Sequence, residues 1–402
     1  MIRMAGLAVA LMVITVIICP CIYGKEFSDH HEIKVQRLLK QLNKPALKSI
    51  KSEDGDIIDC VPITIQPAFD HPMLKNHTIQ MRPSYIPDGD SAYTKKKAKA
   101  VTQMWQKSGQ CPQNTVPIRR TKKEDILRAK SIENFGKKSP PSIPEVTSSD
   151  RVFRHEYAYM GVRNEKFYGT KASINIWKPE VEDPREFSLA QVWLVSGAGL
   201  TRNTIEVGWQ VYPQMYKDNN PRLFVYWTSD GYQKTGCYNL CSGFVQTNNQ
   251  YSVGASYTSV SQYDGEQLAL NILVWKDQKT GNWWLKINEN DVMGYWPGSL
   301  FNYLGDGATK VEWGGEIYTH SGVRHTTTDM GSGHFAEEGY KKASYIKNIK
   351  VVDGTNNLRE PEGLYSSADN NGNCYNVKAG DAGTTFGVHF FFGGPGQNVK
   401  CP

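Results

Sequence analysis

Two glutamates stand inside strongly apolar segments: Glu206 in NTIEVGWQV and Glu316 in VEWGGEIYTH. Paired carboxyls can hydrolyse a bond without a metal or cofactor. One ionised oxygen takes a proton from water while the other carboxyl, still protonated, donates one. Like charges held close push one pKa up, so such a pair works half-protonated, in acid. If both segments are strands, alternation puts Gly208 and Gln210 beside Glu206, and Gly314 and Tyr318 beside Glu316. Ile205, Val207, Trp209 and Val211 then face the other way, as do Trp313 and Ile317. Each carboxylate thus has a glycine two positions away on its own face, where a ligand or another backbone can come close. The bland alternative is a glutamate on the solvent face of a half-exposed strand. Glu312 has the parity of Glu316 and is either a bystander or a supporting carboxylate. Gln191, in SLAQVWLVSG, shares a face with Leu189, Trp193 and Val195. It is either a satisfied structural amide or a donor to an oxyanion. No GxSxG, HExxH or P-loop occurs, and no GxGxxG follows a strand, which leaves the carboxylates as the chemistry.

The elements that must position these residues are short runs rich in β-branched and aromatic side chains. KASINIWKP, LAQVWLVSG, NTIEVGWQVYP, RLFVYWTSDGY, LALNILVWKD, NWWLKIN, VEWGGEIY and YIKNIKVVD are separated by Gly, Asn and Asp. Such spacing predicts an antiparallel β-sandwich or jelly roll over 150–402, with a hairpin at WKDQKTGNWW. The front half reads differently. EIKVQRLLKQL predicts a helix with Ile33, Leu38, Leu39 and Leu42 on one side, and KKKAKAVTQMWQ a second short one. The prolines from Pro62 to Pro87 forbid a long helix between them. The breaker SPPSIPEVTSSD marks a linker, with the domain boundary between Lys137 and Asp150.

Charge divides along the same line. Residues 1–149 hold 23 Lys+Arg against 14 Asp+Glu, and the remainder 23 against 26, so the net +6 belongs to the front half. That distribution argues against a basic nucleic-acid groove. Arg3 followed by AGLAVALMVITVIIC has the layout of a secretory signal peptide over 1–24, rather than a retained anchor, and implies a secreted protein without a membrane anchor. Its removal leaves Cys60, Cys111, Cys237, Cys241, Cys374 and Cys401. An even count in a secreted chain reads as disulfides, and many connectivities are open. The simplest keeps each bridge local: 60–111, 237–241 and 374–401. No CxxC spacing supports zinc, so no metal or other cofactor is expected. Asn76-His77-Thr78 is the glycosylation sequon.

Several of these segments resemble the neprosin family. NTIEVGWQVYP, LFVYWTSDGYQKTGCYNLCSGFVQTNN, ILVWKDQKTGNWWL, VEWGGEIY and FFFGGPG resemble its catalytic domain, and DIIDCV and CPQNTVPIRR its activation segment. The resemblance implies a secreted, acid-active glutamic peptidase that cuts after proline, with a β-sandwich fold and no cofactor. It carries catalytic roles onto Glu206 and Glu316 and an active-site role onto Gln191. Trp193, Trp209, Tyr318, Gly208 and Gly314 are then the candidate substrate contacts. The CYNLCSGF loop departs from the family pattern, which has one more residue between its cysteines. Residues 25–140 would be the activation segment, making the chain a zymogen in the cell wall or an acidic compartment. Residues 94–138 hold 13 Lys+Arg and three acidic residues, suggesting a basic cap over an acidic cleft that opens in acid. Two rivals stand beside this reading. A jelly-roll glycosidase also needs two carboxylates, with Trp193, Trp209, Trp227 and Trp313 as sugar platforms. A non-catalytic cell-wall binding protein needs neither.

Overall fold

A computed structural model describes residues 30–90, 101–129, 131–138, 145–146, 152–239, 242–321, 324–381 and 385–402. The expected signal peptide and most of the expected linker lie outside them. The chain forms two compact units, one of residues up to Asn43 with Thr121–Phe135, the other of Lys44–Arg120 with Gly136–Pro402.

In the first unit, α1 spans 30–42 and α2 spans Lys123–Leu127. Lys123 Nζ donates to Glu32 at 2.8 Å, and Asn43 exchanges two hydrogen bonds with the backbone of Thr121. The buried stripe of α1 is Val35 and Leu42, with Leu38 and Leu39 half-buried, whereas Ile33 is 56% exposed. Leu38, Leu39 and Leu42 keep the expected side, but Val35 takes the place of Ile33, since 35, 38/39 and 42 keep the helical spacing and 33 does not. The described part of KKKAKAVTQMWQ is no α-helix: Met104–Lys107 is a single 3₁₀ turn. The proline-dotted stretch likewise forms only 3₁₀ turns.

The second unit opens with a three-stranded sheet: β1 (Lys48–Lys51), β2 (Ile57–Pro62) and β3 (Thr115–Arg119). The Cys60–Cys111 disulfide ties β2 to the loop before β3. Next come β4 (Glu145–Val146), β5 (Val152–Phe167), β6 (Gly169–Asn175), β7 (Phe187–Ser196), β8 (Asn203–Val211) and β9 (Arg222–Thr228). They are followed by β10 (Val245–Gln246), β11 (Ala269–Lys276), β12 (Trp283–Ile287), β13 (Asp291–Trp296) and β14 (Ala308–Ser321). The chain ends with β15 (Ser344–Val352), β16 (Leu358–Arg359), β17 (Tyr365–Ala368), β18 (Asn376–Ala379) and β19 (Phe390–Gly393).

Two large antiparallel sheets result. One runs β17-β5-β14-β7-β8-β9, with β4 on β5; the other runs β10-β13-β12-β11-β6-β15-β19-β18, with β16 on β15. The fold is the expected β-sandwich, and every strand read from the sequence is present. The expected hairpin is β11–β12, with Lys276 paired to Trp283. Val162, Ala190, Val192, Leu194, Ile205, Val207 and Trp209 from the first sheet join Ile174, Ile272, Val274 and Phe390 from the second in one core. The other face of the first sheet is also buried. Phe187, Leu189, Phe224, Tyr226 and Tyr318 pack there against Met215, Tyr216, Tyr232 and Tyr238. Strands covered on both faces lose the apolar–polar alternation, which is why β7, β8 and β9 read as near-continuous apolar runs. Cys374 pairs with Cys401 as expected. Cys237 is disulfide-bonded, but Cys241 lies outside the described residues.

Candidate active site

The register of three strands builds the site. On β14, β7 and β8, Glu316, Leu189 and Gln210 lie in one row. Gly314, Gln191 and Gly208 form the next, and Glu312, Trp193 and Glu206 the one after. The two glutamates are thus diagonal neighbours across Gln191, on the face away from the inter-sheet core. Gln191 Nε2 donates to Glu316 Oε2 at 2.9 Å. Both glutamates are completely buried.

One ammonium joins them. Lys138 Nζ lies 2.8 Å from Glu316 Oε2 and 3.1 Å from Glu206 Oε2, with its side chain 1% exposed. The two carboxylates are thus close enough to bind one nitrogen between them. The segment leading to Lys138 is laid into this face: Gly136 O accepts from Tyr238 N at 2.7 Å, and Lys138 N approaches Tyr226 Oη at 3.4 Å. Burial disfavours the Lys138 ammonium, but the charges of Glu206 and Glu316 outweigh it and raise the pKa. Burial likewise opposes ionisation of Glu316, yet Lys138 and then His155 hold its carboxyl below the usual range. Among the described residues of 94–138, Lys138 alone meets the pair, where a run of basic residues was expected to cover it.

The remaining oxygens are also occupied. Glu206 Oε1 accepts from Thr204 Oγ1 at 2.9 Å and Tyr232 Oη at 2.7 Å. Glu316 Oε1 faces His155 Nδ1 at 2.6 Å. Burial, and then the Glu206 charge, push the Tyr232 phenol far above its ordinary pKa, so it remains a donor.

Other sequence candidates divide by parity. Trp193 and Tyr318 stand on the site face, with Tyr318 4.8 Å from the His155 ring and 5.4 Å from Phe187. Trp209 does not: it is fully buried in the inter-sheet core, where its Nε1 donates to Asn175 O. A place among the substrate contacts is corrected by the alternation that puts Glu206 on the opposite face. Trp227 and Trp313 lie in that core too, so three of the four tryptophans offered as sugar platforms are unavailable. Gly208 and Gly314 answer to backbone and not to a ligand. A Cβ on Gly208 would lie 1.9 Å from Ala190 O, and one on Gly314 2.4 Å from Ala158 O. Glu312 accepts from Tyr365 Oη and pairs with Lys310, apart from Glu206 and Glu316. Asn76 is exposed.

Residues 184–395 match the Neprosin family and residues 49–161 match its activation peptide. The chain belongs to the neprosin family. Lys138 thus falls within the stretch matching the neprosin activation peptide, and both glutamates within the stretch matching neprosin itself. Among solved structures, scytalido-glutamic peptidase with a peptide-based transition-state analogue is similar at 10% identity. That match covers 60% of this chain and 98% of the peptidase, with a TM-score of 0.34. SCP-B, an eqolisin-family peptidase in complex with the tripeptide Ala-Ile-His, is 10% identical over the same shares, with a TM-score of 0.29. Likenesses this slight carry no weight for this neprosin. Sequence reasoning missed Lys138, His155, Tyr232 and Thr204. Thr204 was readable as the residue two before Glu206 on its face; the others reach the site from elements whose approach only the fold sets.

Proposed function

We propose that this neprosin-family protein is a secreted glutamic endopeptidase made as a latent precursor, active in acid and cutting on the C-terminal side of proline. One observation carries the reading: Glu206 and Glu316 converge from different strands on one nitrogen in a buried cleft. With Lys138 withdrawn, a water can take its place between the two carboxyls. One ionised glutamate takes the proton of that water as its oxygen attacks the scissile carbonyl. The other, protonated, donates to the carbonyl oxygen. Gln191 turns its NH2 to Glu316 and supports the charge that develops beside it. The buried tyrosines and Phe187 exclude solvent and offer flat apolar walls to a proline ring.

Latency follows from Lys138, whose single ammonium is shared by both carboxylates and fills the space between them. Cleavage in 139–150 would separate it from the enzyme. Purified full-length protein, incubated in acid and then given a proteomic digest, should cleave after proline. Glu206→Gln and Glu316→Gln should each lose at least about 100-fold in kcat/KM. Wild-type levels in either variant refute the pair mechanism, and cleavage without regard to proline refutes the specificity.

A further inference from the structure

The two glutamates are not equivalent. Apart from Lys138, Glu206 is held by two neutral hydroxyls, Thr204 and Tyr232. Glu316 is held by one neutral amide, Gln191, and by an imidazole, His155. His155 is fixed there. It lies on β5 opposite Tyr318 and is 96% buried at the side chain. Its ring stacks on Tyr157 and leans on Phe187 and Tyr318. Its Nε2 has no hydrogen-bond partner among the described residues. Nδ1 faces a carboxylate, so Nδ1 is the donor.

The ionisable groups around Glu316 can be named element by element. Tyr157 stands on β5, Glu206 on β8, Tyr226 on β9, Tyr238 in the loop after it, and Lys138 in the activation segment. Burial foremost, and then the two carboxylates, push all three tyrosines up, so they stay neutral in acid. Asp369 approaches from beyond Tyr157, where its Oδ2 accepts from the Tyr157 backbone N–H. Once Lys138 is withdrawn, the His155 imidazole is the one nitrogen base among the described residues in contact with either glutamate.

Resting on the glutamic peptidase reading above, we propose that His155 is a positioning residue that holds Glu316 as the ionised member of the pair. Roles follow. Glu316 takes the proton of the attacking water while protonated Glu206 donates to the carbonyl oxygen, giving a tetrahedral diol. Glu316 then passes its proton to the leaving nitrogen, the C–N bond breaks, and a diol proton returns to Glu206. Both glutamates end as they began.

His155→Asn tests this, because its amide can keep the neutral hydrogen bond while losing the ability to become a cation. The acid limb of the kcat/KM–pH profile, set by ionisation of the base, should move to higher pH by about one unit. That is a roughly 10-fold loss below the limb and little loss above it. Titration of Glu316 by carboxyl-¹³C NMR, identified by its loss in Glu316→Gln, should move the same way and needs no activity. Should His155→Asn fail to fold, His155→Gln offers a donor on a longer chain for the same titration. An unmoved Glu316 titration, or a uniform loss of kcat with an unmoved limb, overturns the assignment. An inactive wild type in which the Glu316 titration still depends on His155 refutes the peptidase reading and leaves the role of His155 standing.

Discussion

Lys138 shows how much one buried charge can control. Its raised pKa means that its stabilising share is full below the ordinary lysine value and fades only as pH climbs past the raised one. The lowered pKa of Glu316 gives the opposite window: its share is full above the ordinary carboxyl value and is lost as pH falls through the lowered one. At working pH the clamp therefore opens only on the acid side. Lys138→Met should leave two facing carboxylates without their cation, so one of them takes up a proton near neutral pH. Its precursor should activate at higher pH than wild type, and thermal unfolding should show it less stable by about 3 kcal/mol. Unchanged activation pH across a time course of processing would show that the ammonium is not the lock. Tyr232→Phe removes one donor from Glu206, and should cost roughly 10-fold in kcat/KM with little change in KM.

At the scale of elements, the site depends on how closely β7, β8, β14 and β5 lie together. Gly208 and Gly314 make that approach possible, because a Cβ at either would enter the backbone of the next strand. Neither neighbour can yield without shifting the register that sets Glu206 and Glu316 diagonally across Gln191. Gly208→Ala should destabilise the fold by about 3 kcal/mol, read by chemical unfolding. Gly305→Ala, where a Cβ meets nothing within 4 Å, should stay within about 0.5 kcal/mol of wild type. Equal stabilities for the two variants would show that the close approach is not needed. Of these four strands, β5 is the one the sequence did not announce. In VFRHEYAYMGVRNEKF, charges at Arg154, Glu156, Arg163, Glu165 and Lys166 interrupt the apolar run that marked the other strands. Alternation of Ala158, Met160 and Val162 with His155, Tyr157 and Tyr159 was its legible signal, and His155 was lost with it.

At the scale of the molecule, net charge was a poor guide to attachment. The front half is basic, yet within the second unit its acidic residues make several of the contacts with the sandwich. Asp90 is shared by Lys171 and Lys286, and Asp56 by Arg119 and the fully buried Arg222. Asp90→Asn should lower the melting temperature of the precursor, while enzyme processed from it in acid melts like processed wild type. A shift in both would place Asp90 in the stability of the sandwich itself. By itself the sequence determined the strand-built class, the family and which residues flank each glutamate, because periodicity and motif spacing are local properties of a chain. Tertiary structure alone decided that Glu206 and Glu316 meet, that Lys138 lies between them, that His155 backs one of them and that Trp209 serves the core. Those outcomes depend on strand order, register and which face is covered, and such pairings between distant segments leave no mark on either segment taken singly.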